Sequence, residues 1–163
     1  MAEVIIDLNS DEYFMDEALR QARHAVTADE VPVGSVIVHQ GRVIARAYNQ
    51  VETLKDATAH AEILAITQAS QVVQDWRLNE CTLYVTKEPC PMCAGAIVQA
   101  RFKRLVFGIS DPKGGAAGSL LNIVAHPSLT HQVEITSGIR KKECEKILRD
   151  FFSEKRLINR MRK

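Results

Sequence analysis

The sequence predicts a three-layer α/β/α domain built on a mixed five-stranded sheet. Three observations support this prediction. Segments with helical spacing of apolar residues alternate with short β-branched runs, neither a repeat nor a low-complexity linker interrupts them, and the length of 163 residues suits one domain with a substantial core. We therefore expect residues 1–163 to form a single domain.

The N-terminal part of the chain predicts a helix followed by a β-hairpin. Ser10 and Asp11 can cap a helix whose apolar positions recur until about Ala28. The apolar runs 34–38 and 43–47 then predict two strands. Because the residues between these runs include Gln-Gly, which is typical of a hairpin turn, we expect the two strands to be antiparallel.

The middle of the chain alternates between helices and strands. Residues 58–70 return to helical spacing, and residues 81–86 predict a strand. The small and apolar residues 90–100 predict a buried helix, and residues 104–109 predict a fourth strand. This alternation is typical of an α/β sheet with helices packed on its faces.

The C-terminal part predicts a long connection, a fifth strand and a long helix. About 22 residues separate the fourth strand from a fifth predicted at 132–136, and that length suits a crossover to a parallel strand. The last helix is expected from about Arg140 to Arg160. The sheet should therefore be mixed, with helices on both faces.

Composition favours a cytoplasmic protein without a membrane segment. Hydrophobic residues make up 46% and charged residues 25%, as in ordinary globular proteins. No apolar stretch reaches the roughly 18 residues that span a bilayer, and the first residues are acidic where a signal peptide would be basic. In a cytoplasmic protein, a Cys-x-x-Cys spacing indicates a metal or redox site more often than a disulfide.

Two short motifs indicate a metal site. His60-Ala61-Glu62 and Pro89-Cys90-Pro91-Met92-Cys93 each stand at the start of a predicted helix. Cys90 and Cys93 are three positions apart, so both sulfurs can lie on one face of a first helical turn and bind one ion. His60 would supply a third ligand. Three protein ligands leave one tetrahedral position of a zinc ion open for water, as in catalytic sites.

Glu62 is the predicted proton carrier. Zinc lowers the pKa of its bound water towards about 7, which makes hydroxide available near neutral pH. Glu62 lies two residues from His60, so its carboxylate can approach the water and the substrate without binding the metal. We therefore expect one Zn²⁺ per chain, held by His60, Cys90 and Cys93.

Either motif alone has other interpretations. A Cys-x-x-Cys pair also fits a redox dithiol, but a dithiol gives no reason for His60 or Glu62. A structural four-cysteine site needs a second close pair, whereas Cys81 and Cys144 are predicted in a strand and a helix, where they suit small buried apolar side chains. Together the motifs match the signature of zinc-dependent nucleobase deaminases, a class that includes tRNA and cytidine deaminases.

Further stretches carry a family resemblance. They are EVPVG at 30–34, TAHAE at 58–62, EPCPMCAG at 88–95, GAAGS at 115–119 and DFF at 150–152. In these stretches the chain resembles the cytidine deaminase-like superfamily and, within it, the bacterial tRNA-specific adenosine deaminases. The resemblance covers nearly the whole chain, except an N-terminal extension of about residues 1–9.

The resemblance implies a fold, a reaction and partners. The implied fold is that of the cytidine deaminase-like superfamily, assembled as a homodimer. The implied reaction is hydrolysis of an amidine C–N bond, which converts adenosine to inosine at the wobble position of a tRNA anticodon. Zinc-activated hydroxide would attack C6 of adenine while Glu62 protonates N1 and later the departing amine. The implied partner is the tRNA anticodon loop, with the reacting base flipped into the pocket.

The resemblance also implies two substrate contacts outside the metal motifs. Asn49 matches a family asparagine that contacts the flipped nucleoside, and Asp111 matches a loop aspartate that contacts RNA beside the pocket. From the residues alone, the preferred interpretations are a turn residue at a strand end for Asn49 and a loop cap before a proline for Asp111.

The C-terminal helix is the candidate RNA-binding surface. Residues 138–163 contain ten Lys or Arg against four Asp or Glu, whereas the other 137 residues contain 11 against 16. From charge alone, a solvated amphipathic helix is the better interpretation. With the resemblance, Phe151, Phe152 and Arg156 become candidates for stacking on RNA bases and for contacting phosphates, and one Phe is expected to pack into the core.

Two other functions fit the same motifs. The first is a deaminase acting on free guanine or on a cytosine nucleoside, which would have an almost identical zinc site. The second is a zinc-stabilised RNA-binding module without catalysis. The Asp111 loop and the basic C-terminal helix argue against the first, because a free base does not need them. Glu62 argues against the second, because a structural zinc site does not need a proton carrier.

Overall fold

One mixed sheet organises the part of the chain that the computed structural model describes, residues 7–163. Its strands are β1 (Gly34–His39), β2 (Arg42–Tyr48), β3 (Cys81–Lys87), β4 (Arg104–Ile109) and β5 (Glu134–Ser137). They lie in the order β2-β1-β3-β4-β5. Strand β1 is antiparallel to both of its neighbours, whereas β3, β4 and β5 are parallel. The predicted mixed sheet, its antiparallel hairpin and its parallel fifth strand are confirmed.

The helices agree with the prediction except for one short addition. They are α1 (Asp11–Thr27), α2 (Val51–Leu54), α3 (Ala61–Val73), α4 (Pro91–Gln99) and α5 (Lys141–Met161). Ser10 caps α1, as predicted, because its hydroxyl accepts a hydrogen bond from the Tyr13 amide at 3.1 Å. The one-turn helix α2 was not predicted. Residues 1–6 of the expected N-terminal extension lie outside the described residues.

Two hydrophobic cores lie on opposite faces of the sheet. On one face, α1 and α5 pack against alternate strand residues such as Val36 and Val106. On the other face, α3 and α4 pack against the intervening positions such as Ile37 and Leu105. Successive side chains of a strand point to opposite faces, so β1, β2, β3 and β4 each contribute to both cores. The predicted three-layer α/β/α architecture is confirmed.

Gly34 allows α1 to lie close against the start of β1. A Cβ at this position would stand 2.0 Å from the carbonyl oxygen of Ala18 and 2.4 Å from the amide nitrogen of Ala22. Any larger residue would push α1 away from the sheet. Among the described helices, none combines the length and the apolar character that crossing a membrane requires.

A charged network joins α1 to three strands. Both guanidinium Nη atoms of Arg104 donate to the Asp11 carboxylate at 2.7 Å, and Nη2 also donates to Thr136. The Tyr84 hydroxyl donates to the same carboxylate at 2.8 Å. The hydrogen bond from Arg104 is the largest cause that lowers the pKa of Asp11 below its ordinary value, although burial opposes it.

We expect Asp11→Asn to lower the free energy of unfolding by about 1–3 kcal/mol at pH 7, because it leaves Arg104 without its bidentate partner. Since the folded state lowers the pKa of Asp11, this contribution is fully present above the ordinary Asp pKa of 3.8. It is lost as the pH falls through the lower pKa of the folded state. Urea titrations of both proteins at several pH values measure the difference.

The matched control for this prediction is Asp16→Asn. Asp16 also pairs with an arginine, Arg140, at 3.0 and 3.1 Å, but both side chains are more exposed. Water screens such a pair, so the control should lose clearly less stability. Equal losses in the two variants would contradict the role assigned to the Asp11 network.

Candidate active site and metal centre

Two helix starts bring the predicted metal ligands together. His60 is the residue that precedes α3, and Cys90 is the residue that precedes α4, so each occupies an N-cap position. Neither side chain caps its own helix, which leaves both free to face each other. Cys93 follows in the first turn of α4 and is fully buried. The partial positive charge of helix N-termini favours thiolates at these positions.

The geometry of the three side chains suits a tetrahedral ion. Nδ1 of His60 lies 3.5 Å from the Cys90 sulfur and 3.4 Å from the Cys93 sulfur. All three candidate ligand atoms lie within 4.8 Å of one another. A zinc ion with bonds of about 2.3 Å to sulfur and about 2.05 Å to nitrogen would place nitrogen and sulfur about 3.6 Å apart at tetrahedral angles. The residues present therefore fit the metal.

Electrostatics point to the same conclusion. Hydrogen bonds from Cys93 and His60 lower the pKa of Cys90 to about 3, against the effect of burial. The Cys90 sulfur and burial raise the pKa of Cys93 far above that of an ordinary thiol. A bound cation would stabilise both sulfurs as thiolates, because metal binding displaces their protons. The other two cysteines of the described chain, Cys81 and Cys144, are buried elsewhere and free, as predicted.

The carboxylate of Glu62 is buried beside this cluster. Glu62 is the second residue of α3 and is only 4% exposed. Burial raises the pKa of Glu62 above its ordinary value, although the nearby imidazole of His60 opposes the shift. Because a general acid and base must take up and release a proton, a buried carboxyl group with a raised pKa is suited to this role.

A cavity of about 280 Å³ opens onto these groups. Glu62, His60 and Cys90 line it, and so do Asn49 and Asp111. The structure thus brings five of the predicted site residues to one cavity. Cys93 lies behind the cavity wall, because it is fully buried and does not line the cavity.

Two buried carboxylates in this region were not predicted as site residues. Glu30 accepts hydrogen bonds from the amides of Glu52 and Thr53, so it holds the one-turn helix α2 in place. Glu88 accepts hydrogen bonds from amides of the loop that follows β4. Both stand in stretches that carry the family resemblance, at 30–34 and 88–95, but neither has the spacing of a metal or acid/base motif.

Comparisons with known proteins identify the family. The model of MafB19-like deaminases matches residues 8–156. The tRNA-specific adenosine deaminase of Bacillus subtilis (strain 168) is 47% identical over 149 residues, which cover 91% of this chain and 92% of that protein. This chain belongs to the tRNA-specific adenosine deaminase family.

Solved structures share the fold, and one of them agrees with the family assignment. A structure from a study of A-to-I editing by tRNA:A34 deaminases at the wobble position of transfer RNA is 47% identical, has a TM-score of 0.80, and is matched over 83% of this deaminase and 99% of that chain. A guanine deaminase from Bacillus subtilis is 40% identical with a TM-score of 0.61, over 68% of this chain and 71% of its own. The fold expected from the resemblance, that of the cytidine deaminase-like superfamily, is confirmed.

In this deaminase, Asn49 and Asp111 have structural partners as well as a place at the cavity. The Asn49 side-chain amide donates to the carbonyl of Val31 at 3.2 Å, which ties the segment after β2 to the segment before β1. The Asp111 carboxylate accepts hydrogen bonds from the amides of Lys113 and Gly114 and pairs with Lys87 at 3.0 Å. Burial acts to raise the pKa of Asp111, but Lys87 and these amides together lower it.

The packing of the C-terminal helix buries one of its two adjacent phenylalanines and exposes the other. Phe151 is 8% exposed, whereas Phe152 is 43% exposed and stands edge-on to it with the ring centroids 5.4 Å apart. Both rings line a shallow groove, in which Lys155 also lies. Arg156 is exposed, and its guanidinium donates to the Ser153 hydroxyl at 3.1 Å. The exposed ring is therefore Phe152.

Proposed function

We propose that this protein hydrolyses adenosine to inosine at the wobble position of a tRNA anticodon. The observation that carries the proposal is the buried carboxylate of Glu62 beside a His, Cys, Cys cluster at the wall of one cavity. The family assignment supports the substrate class, because the relatives are tRNA-specific adenosine deaminases.

His60, Cys90 and Cys93 would hold one Zn²⁺ per chain. When bound, the ion supplies Lewis acidity that lowers the pKa of a water molecule and makes it a nucleophile near neutral pH. The protein contributes the ligands in a fixed arrangement and excludes bulk water from one of them, since Cys93 is fully buried.

Glu62 moves the protons of the proposed reaction. Adenosine and water give inosine and ammonia, so one proton must reach N1 of the ring and the departing amine must also be protonated. A buried carboxyl group with a raised pKa can deliver both protons in turn, each taken from the attacking water. The two transfers return Glu62 to its starting state, as a catalyst requires.

The size of the cavity suits a single base. A volume of about 280 Å³ is slightly below that of common ligand pockets, which measure roughly 300–1,000 Å³. A base within a stacked loop must therefore be turned out of its stack to enter. Asn49 and Asp111 line the same cavity and are the proposed contacts to the flipped nucleoside and to the neighbouring RNA.

The groove along the C-terminal helix is the proposed path of the remaining RNA. It shares Val31 and Glu52 with the walls of the catalytic cavity, so the groove and the cavity are adjacent. Phe152 offers a ring for base stacking, and Lys155 and Arg156 offer cations for phosphates. We further propose that the enzyme is a homodimer and works in the cytoplasm. Exposed apolar side chains such as Leu120 and Leu121 are suitable for a subunit contact.

An inosine assay tests the proposed function. The substrate is an anticodon stem-loop RNA with a wobble adenosine, offered beside free guanine, free cytidine and a stem-loop with guanosine at the wobble position. We expect inosine from the RNA with adenosine, and neither xanthine from guanine, nor uridine from cytidine, nor xanthosine in the RNA with guanosine. Free guanine is a specific competitor, because a guanine deaminase is 40% identical to this chain. Turnover of the free compounds alone would replace the tRNA proposal.

We expect Phe152→Ala to weaken binding of the stem-loop by roughly 5- to 150-fold, because stacking on an aromatic ring contributes about 1–3 kcal/mol per base. Fluorescence anisotropy with labelled stem-loop measures the dissociation constant. The matched control is Trp76→Ala, which removes an exposed aromatic ring that lines neither the catalytic cavity nor the groove. If both variants bind like the wild type, the groove is not the RNA path.

A further inference from the structure

Glu88 is a buried carboxylate beside the metal cluster that has no part in the proposed chemistry. It is 3% exposed, lines the catalytic cavity and lies two residues before Cys90. Its position alone allows three roles: a second acid or base, a further metal ligand, or a structural anchor. Its hydrogen bonds distinguish between them.

Both oxygens of Glu88 are already occupied. Oε1 accepts hydrogen bonds from the Asp111 amide at 3.1 Å and from the Ser119 hydroxyl. Oε2 accepts hydrogen bonds from the amides of Ala117 and Ser119 at 3.0 and 3.1 Å. An ionised carboxylate offers about four acceptor sites, so these partners fill its capacity. No oxygen is left to take a proton from a substrate or to bind an ion.

The loop of residues 111–119 is folded around this carboxylate. Glu88 binds the first residue of the loop, Asp111, and two residues at its other end, Ala117 and Ser119. Between these contacts, a Cβ on Gly115 would stand 2.3 Å from the Glu88 carboxylate. Only glycine lets the loop pass so close.

The same loop carries a proposed RNA contact. Asp111 lines the catalytic cavity, and its own carboxylate holds the next turn of the loop through the amides of Lys113 and Gly114. The position of Asp111 at the cavity therefore depends on Glu88, which binds its backbone.

We propose that Glu88 is a positioning residue, which holds the loop of residues 111–119 against the cavity and thereby sets the affinity for RNA without moving a proton. This inference rests on the proposed function. It makes Glu62 the sole carboxylate of the cavity that acts in the chemistry, and it gives Glu88 an effect on substrate binding.

The test is Glu88→Gln, assayed with the wobble-adenosine stem-loop. Glutamine has nearly the volume of glutamate, but its NH₂ group is a hydrogen-bond donor. This group would face two loop groups that are hydrogen-bond donors themselves. We expect KM to rise roughly 10- to 100-fold because charge-assisted hydrogen bonds are lost, while kcat falls by less than about threefold. One zinc ion per chain should remain. The pH profile of kcat should keep its wild-type shape, which a lost acid or base would change.

Gly115→Ala perturbs the contact between Glu88 and the loop from the loop side, and it changes no charge. It should raise KM by the same factor. If Glu88→Gln does not fold, Ser119→Ala removes a single hydrogen bond of the same set and should raise KM more mildly. Ser128→Ala, an exposed serine outside this loop, is the control and should match the wild type.

Three results would overturn the inference. A fall in kcat of about 10²–10⁴-fold at unchanged KM, with an altered pH profile, would make Glu88 an acid or base. Loss of the ion from a folded Glu88→Gln variant would make it a metal ligand. Unchanged KM in Glu88→Gln and Gly115→Ala would remove the loop role. If the wild type does not turn over the stem-loop at all, the proposed function itself fails, which a separate assay of the wild type shows.

Discussion

Replacing Glu62 by Gln is expected to lower kcat on the stem-loop by about 10²–10⁴-fold, which is the range for loss of a general acid/base. Glutamine has nearly the same shape but cannot accept and release the two protons. The fold should persist, because Glu62 stands in the first turn of α3 and glutamine preserves its size there. Single-turnover assays with a circular dichroism spectrum and a zinc analysis of each protein provide the measurement.

The matched control is Glu12→Gln. Glu12 is the second residue of α1, as Glu62 is of α3, but it is exposed to solvent. The control therefore makes the same change at the same helical position, away from the cavity. A Glu62→Gln variant that turns over like the wild type would disprove the proton role. If the wild type also lacked turnover and both bound RNA equally, the zinc-stabilised RNA-binding module would be the better explanation.

Replacing Cys93 by Ser is expected to remove the metal and with it the activity. A serine hydroxyl is a far weaker zinc ligand than a thiolate, so the cluster would keep only two of its three ligands. The purified variant should contain well below one zinc ion per chain. Its thermal midpoint should also fall, since an ion that binds only the folded state stabilises it.

Cys144→Ser provides the comparison for this second prediction. Cys144 is also fully buried, but it lies on α5 against the opposite face of the sheet from α3 and α4. It should lose some stability through burial of a hydroxyl and still bind one zinc ion per chain. A Cys93→Ser variant that retains stoichiometric zinc by mass spectrometry would refute the ligand assignment.

The parts of the fold that were predicted correctly depend on local patterns. Alternation along β1 sends Val36 and Ile37 to different cores, and the pattern of apolar residues already carries that information. The cap at Ser10 follows from the chemistry of one side chain. The cluster of His60, Cys90 and Cys93 was predictable because both motifs stand at helix starts, where the backbone directs side chains outward from the helix end.

Other features depend on contacts between distant residues, which no local pattern contains. Helix α2 is too short to show a period, and it is held by Glu30 from more than 20 positions earlier in the sequence. Phe151 and Phe152 are adjacent in sequence, so only the packing of α5 decides that the first is buried. Glu88 shows no motif because its partners are backbone amides of a loop that starts 23 residues later.

At the N-cap positions of α3 and α4, the residue that would best stabilise the helix differs from the residue that the proposed chemistry needs. An ordinary capping residue in place of His60 or Cys90, such as the serine that precedes α1, would stabilise each helix by about 1 kcal/mol. Substitution of these two residues by Ser or Asp would thus give a more stable protein without activity. A screen that selects only for thermal stability is therefore expected to replace the metal-binding residues. Adding metal during the screen, or selecting for activity as well, should retain them.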